Sequence, residues 1–367
     1  MNATFWFSDP LAIDRASVLR ENWYDAALYF LHKADFLRLL DVRNIQTISI
    51  LGTVFSNFGD LNLYYNLLGC AIRIGESLGI NNDYTHISGI LPDLQSQRRL
   101  WWSLVILDWL NLPLGQPCIS DSDFVVEMSS VGSGSVPGSD WRSSNHQSIM
   151  SRIALLLYRF QAAFCASKNW ETTGNAVETA DTMLVTLVKE LTSSAQTPGP
   201  SDAYTQAAHS ESKLFAHDQR QNLLLTLFYY RILINRTMVS QPPSLSAGDS
   251  KILRCLESAH RIISVCKSMS MLAGLPATWY AHLNHRILKI YHLIGMFRST
   301  LLPLYSAANV LAAFGTRCRC ERGYDHAVDV TSAIDIFDSI THKSIFATYA
   351  AKNLRQFTRI SRHDSPV

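Results

Sequence analysis

Two stretches decide the fold of this chain: Ile45–Ile80, IQTISILGTVFSNFGDLNLYYNLLGCAIRIGESLGI, and Arg98–Phe124, RRLWWSLVILDWLNLPLGQPCISDSDF. In the second half of the first stretch, apolar residues recur at spacings of three and four, which places them on one face of a helix. Gly79 stands where a left-handed turn would end that helix. The second stretch is apolar nearly all round up to Leu112, which predicts a buried central helix that Pro113 ends.

Helical periodicity continues on both sides of these stretches. Gly69, Ala71 and Gly75 are small residues that we expect to permit close packing of the first helix. Strand signals are almost absent, because no hairpin-type turn separates alternating apolar runs. The prediction is an all-α fold, a single helical array with long loops. Further helices are predicted at Asn22–Leu40, Asn44–Phe58, Gln147–Ser167, Thr172–Leu191, Ser212–Val239, Lys251–Met271, Ala277–Thr300, Tyr305–Phe314 and Asp325–Gln356.

The composition indicates a globular protein. Of 367 residues, 47% are hydrophobic and 17% charged, and the formal net charge is +2. A chain whose positive and negative charges nearly cancel has no overall positive potential that would attract a polyanion, which argues against DNA binding by this chain alone. Seven irregularly spaced cysteines are typical of reduced thiols in the cytosol or nucleus. The N-terminus lacks the pattern of a secretory signal, and apolar runs such as LLLTLFYYRILI are too short for a membrane span. We therefore expect a soluble intracellular protein without membrane contact.

The domain organisation follows from composition. Residues 129–145 (SSVGSGSVPGSDWRSSN), 192–208 and 240–250 are rich in Gly, Ser and Pro and are predicted loops. We expect a short N-terminal segment at 1–21, one helical regulatory domain at 22–310 and a C-terminal helical segment at 311–367. The alternative is two separable domains with the boundary near Ser129.

Catalytic signatures are missing from the sequence. It contains no GxSxG, P-loop or GxGxxG motif in a suitable context. Asp108, alone among aromatics, is the best polar candidate and could act as a general base. The alternative is a buried acceptor paired with Arg73, Arg98 or Arg99. Burial of an unpaired charge costs several kcal/mol, which favours the pairing. The sequence predicts no catalytic and no cofactor-binding residues.

Metal binding and nucleic-acid binding have weak signals. A histidine series with a downstream CxC could supply ligands, but no carboxylate completes a hydrolytic motif, so scattered surface histidines are favoured. Two short basic series are typical of a solvated face. Three tryptophans in one apolar helix are typical of a core. The residues weighed are His282, His285, His292, Cys318 and Cys320; Arg317, Arg319 and Arg322; Lys352, Arg355, Arg359 and Arg362; and Trp101, Trp102 and Trp109.

These stretches resemble the fungal-specific transcription factor domain, the middle homology region of fungal binuclear zinc-cluster transcription factors. The resemblance is sharp from Ile45 to Asp123 and loose elsewhere. Gln116 departs from it, because the family has arginine there in a Gly-Arg-Pro turn. In the first stretch the matching residues are Gln46, Gly69, Ala71, Ile72, Arg73, Leu78, Gly79 and Asp83. In the second, the structural signature consists of Arg98, Arg99, Trp101, Trp102, Asp108, Gly115 and Pro117.

The resemblance implies a nuclear transcription regulator of a metabolic or secondary-metabolite gene set, acting through a helical, ligand-sensing domain. The family's six-cysteine zinc cluster is absent from this sequence. DNA contact is then expected to be indirect, or to depend on a cluster missing from the sequence, and no cofactor is expected. Expected partners are a second copy or another transcription factor, and a small-molecule effector. The alternatives are a helical fold recruited as a metal-free cyclase or isomerase, and an inactive interaction scaffold.

Overall fold

The computed structural model describes residues 10–58, 60–84, 93–110, 116–128, 141–193, 206–239, 250–268, 288–314, 326–341 and 345–363. Within these ranges the chain is helical, and its extended pairing is one isolated parallel bridge between Asn82 and Val125. The predicted all-α fold is confirmed. The helices are α1 (Pro10–Lys33), α2 (Val42–Phe58), α3 (Leu61–Leu78), α4 (Leu94–Trp109), α5 (Trp141–Ala166), α6 (Trp170–Ser193), α7 (Gln206–Arg236), α8 (Ser250–Ser268), α9 (Leu288–Phe314), α10 (His326–Ser339) and α11 (Ile345–His363).

Several predicted helix limits are wrong. Helix α9 continues through Pro303, where the sequence predicted a gap between two helices. Leu301, Leu304 and Leu311 are buried along it, and this burial offsets the cost of an internal proline, about 3 kcal/mol. The predicted helix Asp325–Gln356 is two helices, α10 and α11. Helix α5 already includes residues 141–145, which the prediction placed in a loop.

The described residues divide into two compact units. The first comprises the residues up to Tyr158 and, from later in the chain, Leu275–Ile294. The second comprises Arg159–Gly274 and Gly295–Val367, so the chain passes from one unit to the other within α5 and again within α9. In the first unit α2, α3 and α4 pack on one another around a core that includes Tyr64, Trp101 and Trp109. In the second unit α7 packs on α6 and α8, and α10 packs on α11. The predicted domain limits at 22 and 310 stay a prediction.

Glycines mark the helix ends and contacts of the first unit. Gly79 has φ 75° and ends α3, as predicted. A Cβ at Gly75 would lie 3.2 Å from Ile80 Cδ1 and 3.3 Å from the Trp101 ring, which is a close contact. The prediction for Gly69 is wrong, because a Cβ there meets nothing within 4 Å. The closest approach is at Gly52, which the sequence analysis missed: its Cβ would lie 2.5 Å from Tyr64 Cε2.

The prediction that no apolar run is long enough for a membrane span does not hold for α5. By length and composition alone, His146–Ala166 is long and apolar enough to cross a membrane. Core helices of soluble proteins pass the same test, and Ile153, Ala154 and Leu157 of this helix are buried in the protein.

Candidate functional site

The signature residues lie on α4 and on the segment that follows it, residues 116–128. Asp93 caps α4 by accepting a hydrogen bond from the Ser96 backbone N–H at 2.5 Å. The buried face of α4 then carries three tryptophans, as predicted, and two of them bind the 116–128 segment. Trp102 Nε1 donates to the Glu127 carbonyl at 3.1 Å, and Trp109 Nε1 donates to the Ile119 carbonyl at 2.9 Å. Their indole N–H groups are polar handles on otherwise apolar side chains.

Asp108 is buried and holds the same segment. One carboxylate oxygen accepts the Cys118 backbone N–H at 3.2 Å, and the other accepts the Ile119 backbone N–H at 2.9 Å. Burial raises the pKa of Asp108, and these two N–H groups oppose that rise. An irregular segment packed on a core leaves backbone N–H groups that require acceptors, and this carboxylate supplies two of them.

The predicted arginine partner of Asp108 is wrong, because the three candidate arginines bond elsewhere. Arg73 pairs with Glu76 at 3.0 Å on the surface of α3. Arg99 is exposed and donates to Ser96 Oγ at 2.9 Å. Arg98 is engaged with acidic residues outside α4.

Arg98 ties the connection before α4 to the 116–128 segment. Its Nη2 lies 2.8 Å from Asp83 Oδ2 and 3.2 Å from Glu127 Oε2, and its own side chain and that of Asp83 are about 15% exposed. Asp83 Oδ2 also accepts the Glu127 backbone N–H at 3.0 Å. The Asp83 carboxylate, as hydrogen-bond partner, raises the pKa of Arg98, so the guanidinium stays charged. Arg98 is therefore an internal tie between these two parts of the chain.

The remaining signature residues add to this arrangement or fall outside it. Pro117 is half-buried at the start of the 116–128 segment, and Gly115 lies outside the described residues. Tyr158 stacks on Trp109 with ring centroids 4.4 Å apart and reaches Ser120 Oγ at 3.2 Å. Together, α4, Asp83 and the 116–128 segment form what we call the α4 clamp. The indole N–H groups of Trp102 and Trp109 and the carboxylates of Asp83 and Asp108 bond to the backbone of the 116–128 segment, so the arrangement acts as a scaffold.

A second set of charged residues joins α6, α7 and α8 in the other unit. Arg231 Nε lies 2.8 Å from Asp181 Oδ1, and Asn235 Nδ2 donates to the same oxygen at 2.8 Å. Arg231 also pairs with Glu257 at 3.2 Å, and Arg254 lies 3.4 Å from Asp181. This network was not predicted from the sequence. Its one signal was Arg231, a charge inside an apolar run.

Glu178 extends this network to the surface. It accepts from Lys251 and from Arg254, the latter at 2.8 Å. The hydrogen bond from Lys251, followed by that from Arg254, lowers the pKa of Glu178.

A histidine pair, in which His260 is buried and His326 is half-buried, is the third polar cluster. His260 Nδ1 lies 2.6 Å from Asp329 Oδ2, and His260 Nε2 lies 2.9 Å from His326 Nδ1. Lys267 Nζ approaches the other Asp329 oxygen at 2.8 Å. Burial acts to raise the pKa of Asp329, but the hydrogen bonds from Lys267 and His260 outweigh it and lower that pKa. The cluster joins α8 to α10.

No group of three or more His, Cys, Asp or Glu side chains in the described part of the chain is arranged to hold a metal ion. The predicted absence of a metal site is not tested by this, since most of the residues weighed for it are not described. His282, His285, Cys318 and Cys320 lie outside the described residues, and only the helical backbone of His292 is described.

Comparison with known proteins gives one family and one relative. Residues 8–159, which include the α4 clamp, match the family model described as the fungal specific transcription factor domain. A relative in Gibberella zeae is called the aurofusarin cluster transcription factor aurR2. It is 33% identical over 79 residues, which is 21% of this chain and 12% of the relative. No solved structure matches. Residues 8–159 of this chain are therefore similar to the fungal specific transcription factor domain.

Proposed function

We propose that this chain regulates the transcription of a fungal biosynthetic gene set, acting from the nucleus through its helical domain. The observation that carries the proposal is the family match over residues 8–159, which spans α2, α3, α4 and the 116–128 segment. The similarity to a transcription factor of the aurofusarin cluster supports a secondary-metabolite gene set as the target.

DNA contact is, in this proposal, supplied by a partner transcription factor or by a zinc cluster that this sequence does not contain. The near-neutral charge of +2 supports an indirect role, because phosphate binding depends on a cationic surface. The proposed partners are a second copy or another transcription factor, and a small-molecule effector of the helical domain.

A gene deletion tests the transcriptional role. We expect transcripts of one biosynthetic gene set to change together in the deletion strain and to return when the wild-type gene is restored. Unchanged transcripts, together with loss of a metabolite and turnover of its precursor by the purified chain, would instead identify a cyclase or isomerase.

The α4 clamp offers matched variants for the same strain. Arg98→Gln removes the tie between Asp83 and Glu127, whereas Arg99→Gln removes an exposed neighbour of the same type. We expect Arg98→Gln to lose regulation and Arg99→Gln to keep it. Chain abundance is measured in both strains, so that lower activity per molecule is distinguished from lower protein level. Equal regulation by the two variants at equal abundance would contradict a role for the clamp.

The indirect DNA contact is tested separately. Gel shifts with the purified chain on promoters of the affected genes should show no sequence-specific complex at physiological salt, and addition of the partner factor should restore one. A tight specific complex with the chain alone would overturn the indirect contact and leave the transcriptional role standing.

A further inference from the structure

The histidine pair between α8 and α10 has a geometry that depends on its protons. The facing nitrogens, His260 Nε2 and His326 Nδ1, are 2.9 Å apart, while the ring centroids are 4.9 Å apart and the ring planes differ by 26°. The two imidazoles therefore meet through these two nitrogens, with their ring planes close to parallel. In this arrangement one nitrogen must donate the hydrogen and the other must accept it.

Asp329 restricts the arrangement of these protons. Its Oδ2 lies 2.6 Å from His260 Nδ1, and a carboxylate only accepts hydrogen bonds, so His260 Nδ1 carries the hydrogen. In the neutral pair, His260 Nε2 accepts from His326 Nδ1–H. One added proton is taken up at His326 Nε2, and the shared hydrogen then lies on either of the two facing nitrogens, so the bond is kept. When that hydrogen lies on His260, the Asp329 charge balances the imidazolium. A second added proton places two N–H groups face to face and two cations in contact.

We propose that this hydrogen bond is a proton-sensitive clasp between α8 and α10. It is closed when the pair holds no more than one added proton, and it opens when both imidazoles are protonated. His260 is buried at 5% exposure, so little water screens its charge from a second positive charge on His326.

The surrounding charges fit this proposal. On α8, Lys267 bonds to Asp329 and brings one more positive charge to the cluster. On α7, which also packs on α8, Arg231 is occupied by Asp181 and Glu257. On α11, which packs on α10, Arg355 pairs with Asp338. Among these contacts, the Asp329 carboxylate is the anion bonded to the pair, and Lys267 already shares it.

The clasp predicts how opening depends on pH. If the closed state holds one added proton and the open state holds two, the opening equilibrium rises about tenfold for each pH unit of acidification. The measurement is amide hydrogen exchange in α10 of the full chain between pH 8 and pH 5, where imidazoles ordinarily titrate, corrected for intrinsic exchange rates.

Three variants separate the clasp from general acid sensitivity. In His326→Asn, the side-chain amide takes the place of Nδ1 and can either donate or accept, so the tenfold dependence should vanish. In Asp329→Asn, the closed pair loses the charge that balances its first proton, so the dependence should steepen toward a hundredfold per pH unit. The control is His217→Asn, which removes an exposed histidine of α7 in the same unit and should keep the wild-type dependence.

Several results would overturn the proposal. One is wild-type protection in α10 that stays constant from pH 8 to pH 5 after correction. Another is an unchanged pH dependence in His326→Asn. Should that variant fail to fold, an Asp329→Asn slope equal to the wild-type slope overturns the clasp by itself. Protection at pH 8 that a chelator removes would instead identify the two imidazoles as metal ligands.

Discussion

Gly52→Ala tests the packing of α2 on α3 at its closest point. The added Cβ would lie 2.5 Å from Tyr64 Cε2 and 3.0 Å from Tyr64 Cζ. Non-bonded carbon atoms in proteins do not lie this close together, so a side chain or the backbone has to move. The Tyr64 ring is 0% exposed and surrounded by the core, which leaves it little room.

Gly69→Ala is the matched control on α3. It makes the same chemical change within a helix, but its Cβ meets nothing within 4 Å. Replacing a helical glycine by alanine stabilises a helix by about 0.5–1 kcal/mol. Both variants gain this contribution, so their difference in unfolding free energy isolates the overpacking cost at Gly52. That cost is about 2 kcal/mol for an added methyl group in a packed core.

Urea unfolding followed by tryptophan emission measures this difference. Trp101, Trp102 and Trp109 belong to the same core as Tyr64, so their emission reports the unit that contains both glycines. We expect Gly69→Ala to exceed the wild type in stability and Gly52→Ala to fall below it. Equal stability of the two variants would refute the reasoning, because it would mean that α2 and α3 do not meet as closely as the structure has them.

Three further changes test the other contacts. Asp108→Asn should lower the unfolding free energy by about 1–3 kcal/mol, measured by urea unfolding, because one backbone N–H of the 116–128 segment loses its acceptor. Because the pKa of Asp108 is raised in the folded state, this carboxyl group adds to the unfolding free energy in acid, and the addition is lost as pH rises through that pKa. The loss of stability in Asp108→Asn should therefore be larger at pH 4 than at pH 7. The opposite trend would contradict the argument from burial. Arg231→Met should cost about 3 kcal/mol in thermal or urea unfolding by leaving Asp181 short of a buried partner, and adding Asp181→Asn should recover most of it; a double variant no more stable than Arg231→Met would contradict this. Gly79→Ala should cost about 1 kcal/mol in the same assay, because its φ of 75° is left-handed, and an unchanged stability would contradict that conformation.

Local pattern was enough to predict α2, α3 and α4 of the first unit, but not α1, which was predicted at Asn22–Leu40 and spans Pro10–Lys33. The buried tryptophans of α4 and the end of α3 at Gly79 were correctly predicted, since both follow from the periodicity of neighbouring residues. The limits of α9 were not correctly predicted, because Pro303 indicates a helix break in any local interpretation, and burial of the leucines around it outweighs that signal.

The partners of the polar groups were beyond such reasoning. Asp108 was expected to pair with an arginine because a buried charge needs a partner. The carboxylate does have partners, but none of the three arginines is one of them. The partners of the Asp108 carboxylate are instead two backbone N–H groups of the 116–128 segment, which begin ten residues along the chain. Asp181 and Arg231 are 50 residues apart, and the only sign of their pairing in the sequence is the charge of Arg231 within an apolar run.

By itself the sequence determined the all-α class, the central tryptophan helix and the resemblance to a fungal regulatory domain, because helical period and residue identity are local properties of a chain. Only the tertiary structure decided that Gly52 meets Tyr64, that Arg98 joins Asp83 to Glu127, and that His260 meets His326 across 66 residues. Hydrogen bonds and close contacts form between the groups that packing brings within a few ångströms of each other. The order of residues along the chain does not determine which groups these are.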